Sequence, residues 1–246
     1  MRTSGSASTT DRAAPRLLAA PRSVSYLGAA FALAAACSRP PAAVVPVGAF
    51  SPVSAYAFRA VAARTAPSAP VALYFHWRYD DGSAPVRGRG AARVAPPDSL
   101  RLDIGVPILG RATVVLAGDS VWAQPEAMTG RVLPERATVW AMFGVIEPPQ
   151  GETIIEVGEA VDRRLYRLTG PDGVVTTLEL RGDTLLGATE QRGNQVIGRL
   201  VLTRDSLGAL VRAAALDPQH GLRFVVDLDR REAAGESFPS EIWRRP

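Results

Sequence analysis

Val174-Val-Thr-Thr-Leu-Glu-Leu-Arg181-Gly-Asp-Thr-Leu-Leu-Gly-Ala-Thr-Glu-Gln191-Arg-Gly-Asn-Gln-Val196-Ile-Gly-Arg-Leu-Val-Leu-Thr203 decides the fold. β-prone residues come in short runs, and Gly182-Asp183 and Gly193-Asn194 interrupt them. These dipeptides accept the backbone geometry of tight hairpins. A parallel pair needs a crossover of a dozen or more residues, so runs joined this closely are antiparallel neighbours. The pattern extends outward in both directions. Asp162 to Leu168 precedes it across the turn Asp172-Gly173. After the turn Asp205-Ser-Leu-Gly208 come predicted strands at Ala209 to Leu216, Leu222 to Leu228 and Phe238 to Arg244. The whole is an antiparallel meander.

A second group of strands lies upstream. Val71 to Tyr79 is rich in aromatic and β-prone residues and ends in Asp80-Asp81-Gly82. Val86 to Val94 is glycine-rich, as in a strand that bends or is closely approached. Leu100 to Val106 alternates, with Arg101 and Asp103 opposite its apolar face. Arg111 to Ala117 and Ser120 to Gln124 follow around Gly118-Asp119. Two segments read as short helices. Pro52 to Arg64 opens on a proline tolerated at a helix start. Pro134 to Ile146 carries Val139, Met142, Phe143 and Ile146 at helical offsets. The expected class is mainly β with minor α: a large curved antiparallel sheet, or half-open β-barrel, covered by short helices.

The amino terminus has a different character. Arg12, Arg16 and Arg22 precede an uncharged, mostly apolar stretch from Ser23 to Ala36. At about 14 residues it is shorter than the roughly 20 that a spanning helix needs. A basic region, a short apolar region and small residues make a secretory signal. Leu33-Ala-Ala-Ala-Cys37 resembles the lipobox of bacterial lipoproteins, with Leu33 one place earlier than usual. That resemblance implies cleavage before Cys37 and acylation of its thiol. The alternative is a soluble secreted protein cut after Ala36. The expected organisation is a signal peptide over 1–36, a lipidated cysteine and Pro/Ala-rich tether over 37–51, and one β domain over 52–246. Ser38, rather than aspartate, follows the cysteine, which by the same resemblance points to the outer membrane, facing the periplasm.

Composition narrows the function. Cys37 is the sole cysteine, so no intramolecular disulfide forms. Net charge is +4, but much of the excess lies in the leader, leaving the remainder close to neutral. Nucleic-acid binding wants a dense basic footprint, so nucleic acid is not an expected partner. All 28 basic residues are arginine, a bias that fits a GC-rich genome better than dedicated anion binding. His76 and His220 are far apart in sequence, and neither has a second ligand at metal spacing. No Gly-x-Ser-x-Gly elbow and no phosphate loop occurs. Glu152, Glu156 and Glu159 read as a solvated face. No catalytic residue, metal or cofactor is expected, and the chain reads as a non-enzyme.

The order of elements resembles the LolA/LolB-like lipoprotein carrier and receptor superfamily. The residues that carry it are Asp98-Ser-Leu-Arg-Leu-Asp, Leu116-Ala-Gly-Asp-Ser-Val-Trp and the ending Phe238-Pro-Ser-Glu-Ile-Trp. The family pairs a Pro-x-x-x-Arg-Leu strand with an Asp-Gly/Ser-x-Val/Leu-Trp strand, matched by Pro97 to Leu102 and, one position shorter, by Asp119 to Trp122. The resemblance spans roughly Pro52 to Trp243. It implies an unclosed sheet with an apolar cavity under its helices, and binding of acyl chains of lipids or lipoproteins. The receptor branch inserts an apolar loop into the membrane. The corresponding stretch here, Pro125 to Gly130, offers only Met128.

Candidate cavity residues come from the inserted helix (Val139, Trp140, Met142, Phe143, Ile146) and from one face of the aromatic strand (Leu73, Phe75, Trp77). Taken one at a time, each reads equally as ordinary core. Two functions stay open: a membrane-anchored lipid or lipoprotein binder, and an envelope scaffold that holds a protein partner without lipid cargo.

Overall fold

Period-two patterning is realised on a large scale. In the computed structural model the described residues form one 13-stranded antiparallel sheet, unclosed, with two short α-helices. The structure describes residues 48–106, 110–118, 120–125, 136–147, 153–235 and 237–244. The strands are β1 (Ser51–Pro52), β2 (Val71–Asp80), β3 (Val86–Ala95), β4 (Ser99–Val106), β5 (Gly110–Ala117), β6 (Ser120–Gln124), β7 (Ile154–Glu159), β8 (Arg164–Thr169), β9 (Val174–Arg181), β10 (Thr184–Arg192), β11 (Gln195–Arg204), β12 (Leu210–Asp217) and β13 (Leu222–Ala233). The helices are α1 (Ala55–Thr65) and α2 (Arg136–Ala141).

Spatial order runs β1-β7-β8-β9-β10-β11-β12-β13-β2-β3-β4-β5-β6. Two meanders, β2 to β6 and β7 to β13, are joined by the β13–β2 pair. That pair is long, from Arg223 opposite Asp80 to Ala233 opposite Val71. The hairpin turns carry Gly182 and Gly193 at φ 57° and 59°. Only glycine adopts such values without cost.

This order explains why helices are needed. The chain leaves β6 at one edge and re-enters at β7 near the other, so the connection bearing α2 must traverse a face of the sheet. The connection from β1 to β2 has the same problem, and α1 lies on it. Both helices bury their apolar residues in the same cluster as one face of the sheet. From α1 these are Phe58, Val61 and Ala62, at helical spacing. Ser54 caps α1 by accepting from Ala57 N at 3.2 Å.

Two close approaches hold β2 to β3. A Cβ on Gly90 would lie 2.4 Å from Phe75 Cζ, and one on Gly88 would lie 2.8 Å from Trp77 Nε1. The aromatic rings of β2 therefore lie across glycines of β3, as the glycine-rich reading of that strand anticipates.

Several expectations change. The segment from Phe238 to Arg244 is not a strand; Ser240–Trp243 forms a 3-10 helix. Pro239 lacks the N–H that a ladder needs, and the segment packs instead on the opposite face of β4 and β5. The helix expected over 134–146 is helical only from Arg136 to Ala141 within the described residues, then turns at Gly144 (φ 77°). Ser51 and Pro52, expected at the junction of tether and helix, pair with Val157 and Glu156 of β7. β7, unassigned in the sequence reading, holds Glu156 and Glu159, because Ile154, Ile155 and Val157 prefer the pleat.

Candidate functional site

The site is the helix-covered face of the sheet. Alternation along β2 sends Leu73, Phe75 and Trp77 to that face, and all three are buried. His76, between them, is exposed on the other side. From α2 and the turn after it, Val139, Trp140, Met142, Phe143 and Ile146 are buried in the same cluster. Phe75 and Phe143 are in ring contact at 5.9 Å between centroids, so strand and insertion meet directly.

Among the described residues, two hollows flank the helices. The first is a cleft of about 400 Å³ whose apolar wall includes Val71, Leu73, Phe143, Val145, Leu210 and Leu228. The second, of about 410 Å³, is lined by Ala62, Ala63, Pro96, Pro97 and Ile146 among others. Of the eight candidate residues, Leu73 and Phe143 reach the first hollow and Ile146 the second. Val139, Trp140, Met142, Phe75 and Trp77 line neither and pack as core. Ala66 and Pro67 line both hollows, so the end of α1 stands between them. It is pinned there: Thr65 Oγ1 donates to Ala62 O at 2.7 Å and accepts from Ile146 N at 2.8 Å.

One ion pair joins the two ends of the described insertion. Arg136 at the start of α2 pairs with Glu147 just beyond it and donates to Ser120 O at 3.3 Å. Burial pushes the Glu147 carboxyl up, against the opposing pull of Arg136.

Sequence reasoning missed the polar side of the first cleft. Arg204, Asp205 and Gly208, around the β11–β12 turn, line it together with Asp229, Arg230 and Arg231 at the end of β13. Leu207 projects from the same turn and is 92% exposed. The signal was present in Asp205-Ser-Leu-Gly208, a bulky apolar residue at a turn tip. Only the topology places that turn beside Phe143.

His220 Nδ1 lies 2.6 Å from Asp217 in an exposed turn. Among the described residues there is no cluster of three metal-ligating side chains, and no helix is long and apolar enough to cross a membrane. Cys37, the leader, Met128 and Glu152 lie outside the described residues.

No protein-family model matches the chain, and no curated protein matches it in sequence. Solved structures do match. A LolA superfamily protein from Nitrosomonas europaea superposes with TM-score 0.54 at 14% identity, over 78% of this chain and 98% of that one. A domain assigned as an outer membrane lipoprotein-sorting protein, from Vibrio parahaemolyticus, gives 0.52 at 8% identity, over 76% and 95%. The chain has the LolA-like fold.

Proposed function

We propose that this protein binds acyl chains of lipids or lipoproteins between its sheet and its helices, without catalysing a reaction, while tethered to a membrane through acylated Cys37. The observation that carries this reading is the cleft of about 400 Å³ beside Phe143, walled by apolar residues of sheet and insertion. A pocket with an apolar wall and a few convergent polar groups is the usual form of a small-molecule site, and its volume falls within the usual range of about 300–1,000 Å³. The fold it shares with a lipoprotein-sorting domain supports the same ligand class. Transfer would be by partition: an acyl chain exchanges one apolar surrounding for another, at about 0.8 kcal/mol per buried CH₂. Exposed Leu207, in the turn whose Asp205 and Gly208 line the cleft, would touch a membrane from which a chain is drawn.

The location that fits is the outer membrane, facing the periplasm. Acylated Cys37 would supply the anchor, since stable anchoring takes more than one chain. Mass spectrometry of the protein from membranes tests this part. Acyl groups on a mature Cys37 are expected, and an unmodified chain beginning at Cys37 or later contradicts it.

The second reading, an envelope scaffold without cargo, is favoured by one observation. Trp140 and Met142, named as cavity residues, are each 2% exposed in packed core. Fluorescent fatty-acid uptake separates the two. The full-length chain carrying Cys37→Ser should bind the probe saturably, and Phe143→Ala should change retention more than it changes the fold. A wild type that takes up no probe supports the scaffold.

A further inference from the structure

Alternation along β11 sends Leu200, Leu202 and Arg204 to the helix-covered face, so a guanidinium ends an apolar row. A register shift between Thr203 and Arg204 accompanies it, and such bulges re-aim side chains. Nη1 donates to Gly208 O at 3.0 Å and Nη2 to Leu185 O at 3.3 Å. These bonds fix the plane of the group. Nε is buried and has no partner.

Among the described residues no carboxylate reaches it. The other half-buried arginines of the described residues all do: Arg93 and Arg101 meet Asp103, Arg136 meets Glu147, Arg163 meets Glu179 and Arg167 meets Glu156. Asp205, adjacent to Arg204, instead accepts from the backbone of Leu207 and Ala209 at 2.9 Å each. Asp229 is exposed on the rim, where Arg231 adds positive charge; Arg230 pairs with Glu232 at 3.2 Å and stacks on Tyr74. A charge withdrawn from water without a counter-ion is costly, so buried charges are ordinarily paired. Burial accordingly pushes the Arg204 guanidinium down from its usual value.

We propose that the cleft takes the anionic head of an amphiphile, a carboxylate or a phosphate, against Arg204, with its chain along Leu73, Phe143 and Leu228. The guanidinium has five N–H groups in a fork that matches either anion, and two of them serve the backbone. This rests on the acyl-binding reading and adds the class of ligand, a lipid acid rather than a neutral ester or alcohol.

The test uses the full-length chain carrying Cys37→Ser, with cis-parinaric acid and its methyl ester as probes. Wild type should bind the acid at least about tenfold more tightly than the ester, as a charged hydrogen bond permits. Arg204→Gln should bind both equally, at the affinity of the ester. Arg204→Lys should recover part of the preference. Retained ester binding shows that the variant's cleft is intact. Equal binding of acid and ester by wild type overturns the proposal, as does loss of both probes in Arg204→Gln or a preserved preference there. Competition by decanoate and by short-chain phosphatidic acid identifies the head: displacement by either supports the site, and displacement by neither overturns it. If wild type binds neither probe, the acyl reading fails by itself. Inorganic phosphate then decides the anion site, which stands if phosphate raises the Tm of wild type but not of Arg204→Gln, and falls otherwise.

Discussion

Asp103 is the residue on which the far face of the sheet is organised. It accepts from Arg93 Nη1 at 2.6 Å, from Arg101 Nε and Nη2 at 3.0 Å each, and from Thr113 Oγ1 at 2.8 Å. Burial by itself would raise this carboxyl. The hydrogen bonds from Arg101 and Thr113, the Arg101 charge and the bond from Arg93 outweigh it and hold the group below its ordinary 3.8. With the folded value below the unfolded one, the stabilisation is present above pH 3.8 and is lost as pH falls through the depressed folded value. Asp103→Asn should therefore cost about 2 kcal/mol at neutral pH, typical of a charged hydrogen bond. Urea midpoints should show the gap to wild type closing as pH falls below 3.8; a constant gap would refute the assignment. Glu147 works the other way. Its raised value favours the folded state below the ordinary 4.5, and that advantage disappears as pH rises through the folded value. At the same scale, Gly90→Ala forces a Cβ to within 2.4 Å of the Phe75 ring. Overpacking of this kind costs about 1–3 kcal/mol, and thermal unfolding should register it as a lower Tm. The sequence made Gly88 and Gly90 legible as places of close approach. It did not make Arg204 legible, because a terminal arginine on a strand reads as solvated until its face is known.

Elements show where patterning succeeds and where it stops. The hairpins β9–β10 and β10–β11 are legible because glycine turns and period two agree on one answer. The strand predicted from Phe238 to Arg244 instead lies across β4 and β5. Arg101 Nη1 fixes it there by donating to Ile242 O at 2.8 Å. Phe238 and Trp243 meet edge to face at 6.0 Å. Val115 beneath this region is fully buried although it points away from the main core. Deleting 237–246 should expose Val115 and lower the urea midpoint without abolishing the β circular-dichroism signal. An unchanged midpoint would mean that the segment covers nothing of consequence. The insertion α2 carries the other element-scale expectation. Phe143 meets Phe75 and lines the cleft, so Phe143→Ala both enlarges the cleft and removes core packing. Phe→Ala in a core costs about 3–5 kcal/mol, and probe retention should fall further than that loss of stability alone explains.

For the whole molecule, strand order was the part that sequence could not supply. Turn chemistry joins neighbours in the chain, but the β13–β2 pair links residues far apart in sequence and depends on matching apolar faces. Once that pair forms, both helical connections must traverse one face, and an apolar space beneath them follows from topology. Whether the space is filled depends on packing that no pattern encodes. All eight candidate residues are buried in one cluster, and of them Leu73 and Phe143 also line the cleft beside the β11–β12 turn. The account's central claim is that this space holds an acyl chain. Native mass spectrometry of the full-length chain carrying Cys37→Ser, purified from lipid-containing cells, tests it most directly. A protein mass increased by a lipid or fatty acid, released on unfolding, is the predicted result. A bare mass that stays bare after incubation with fatty acid would contradict the account.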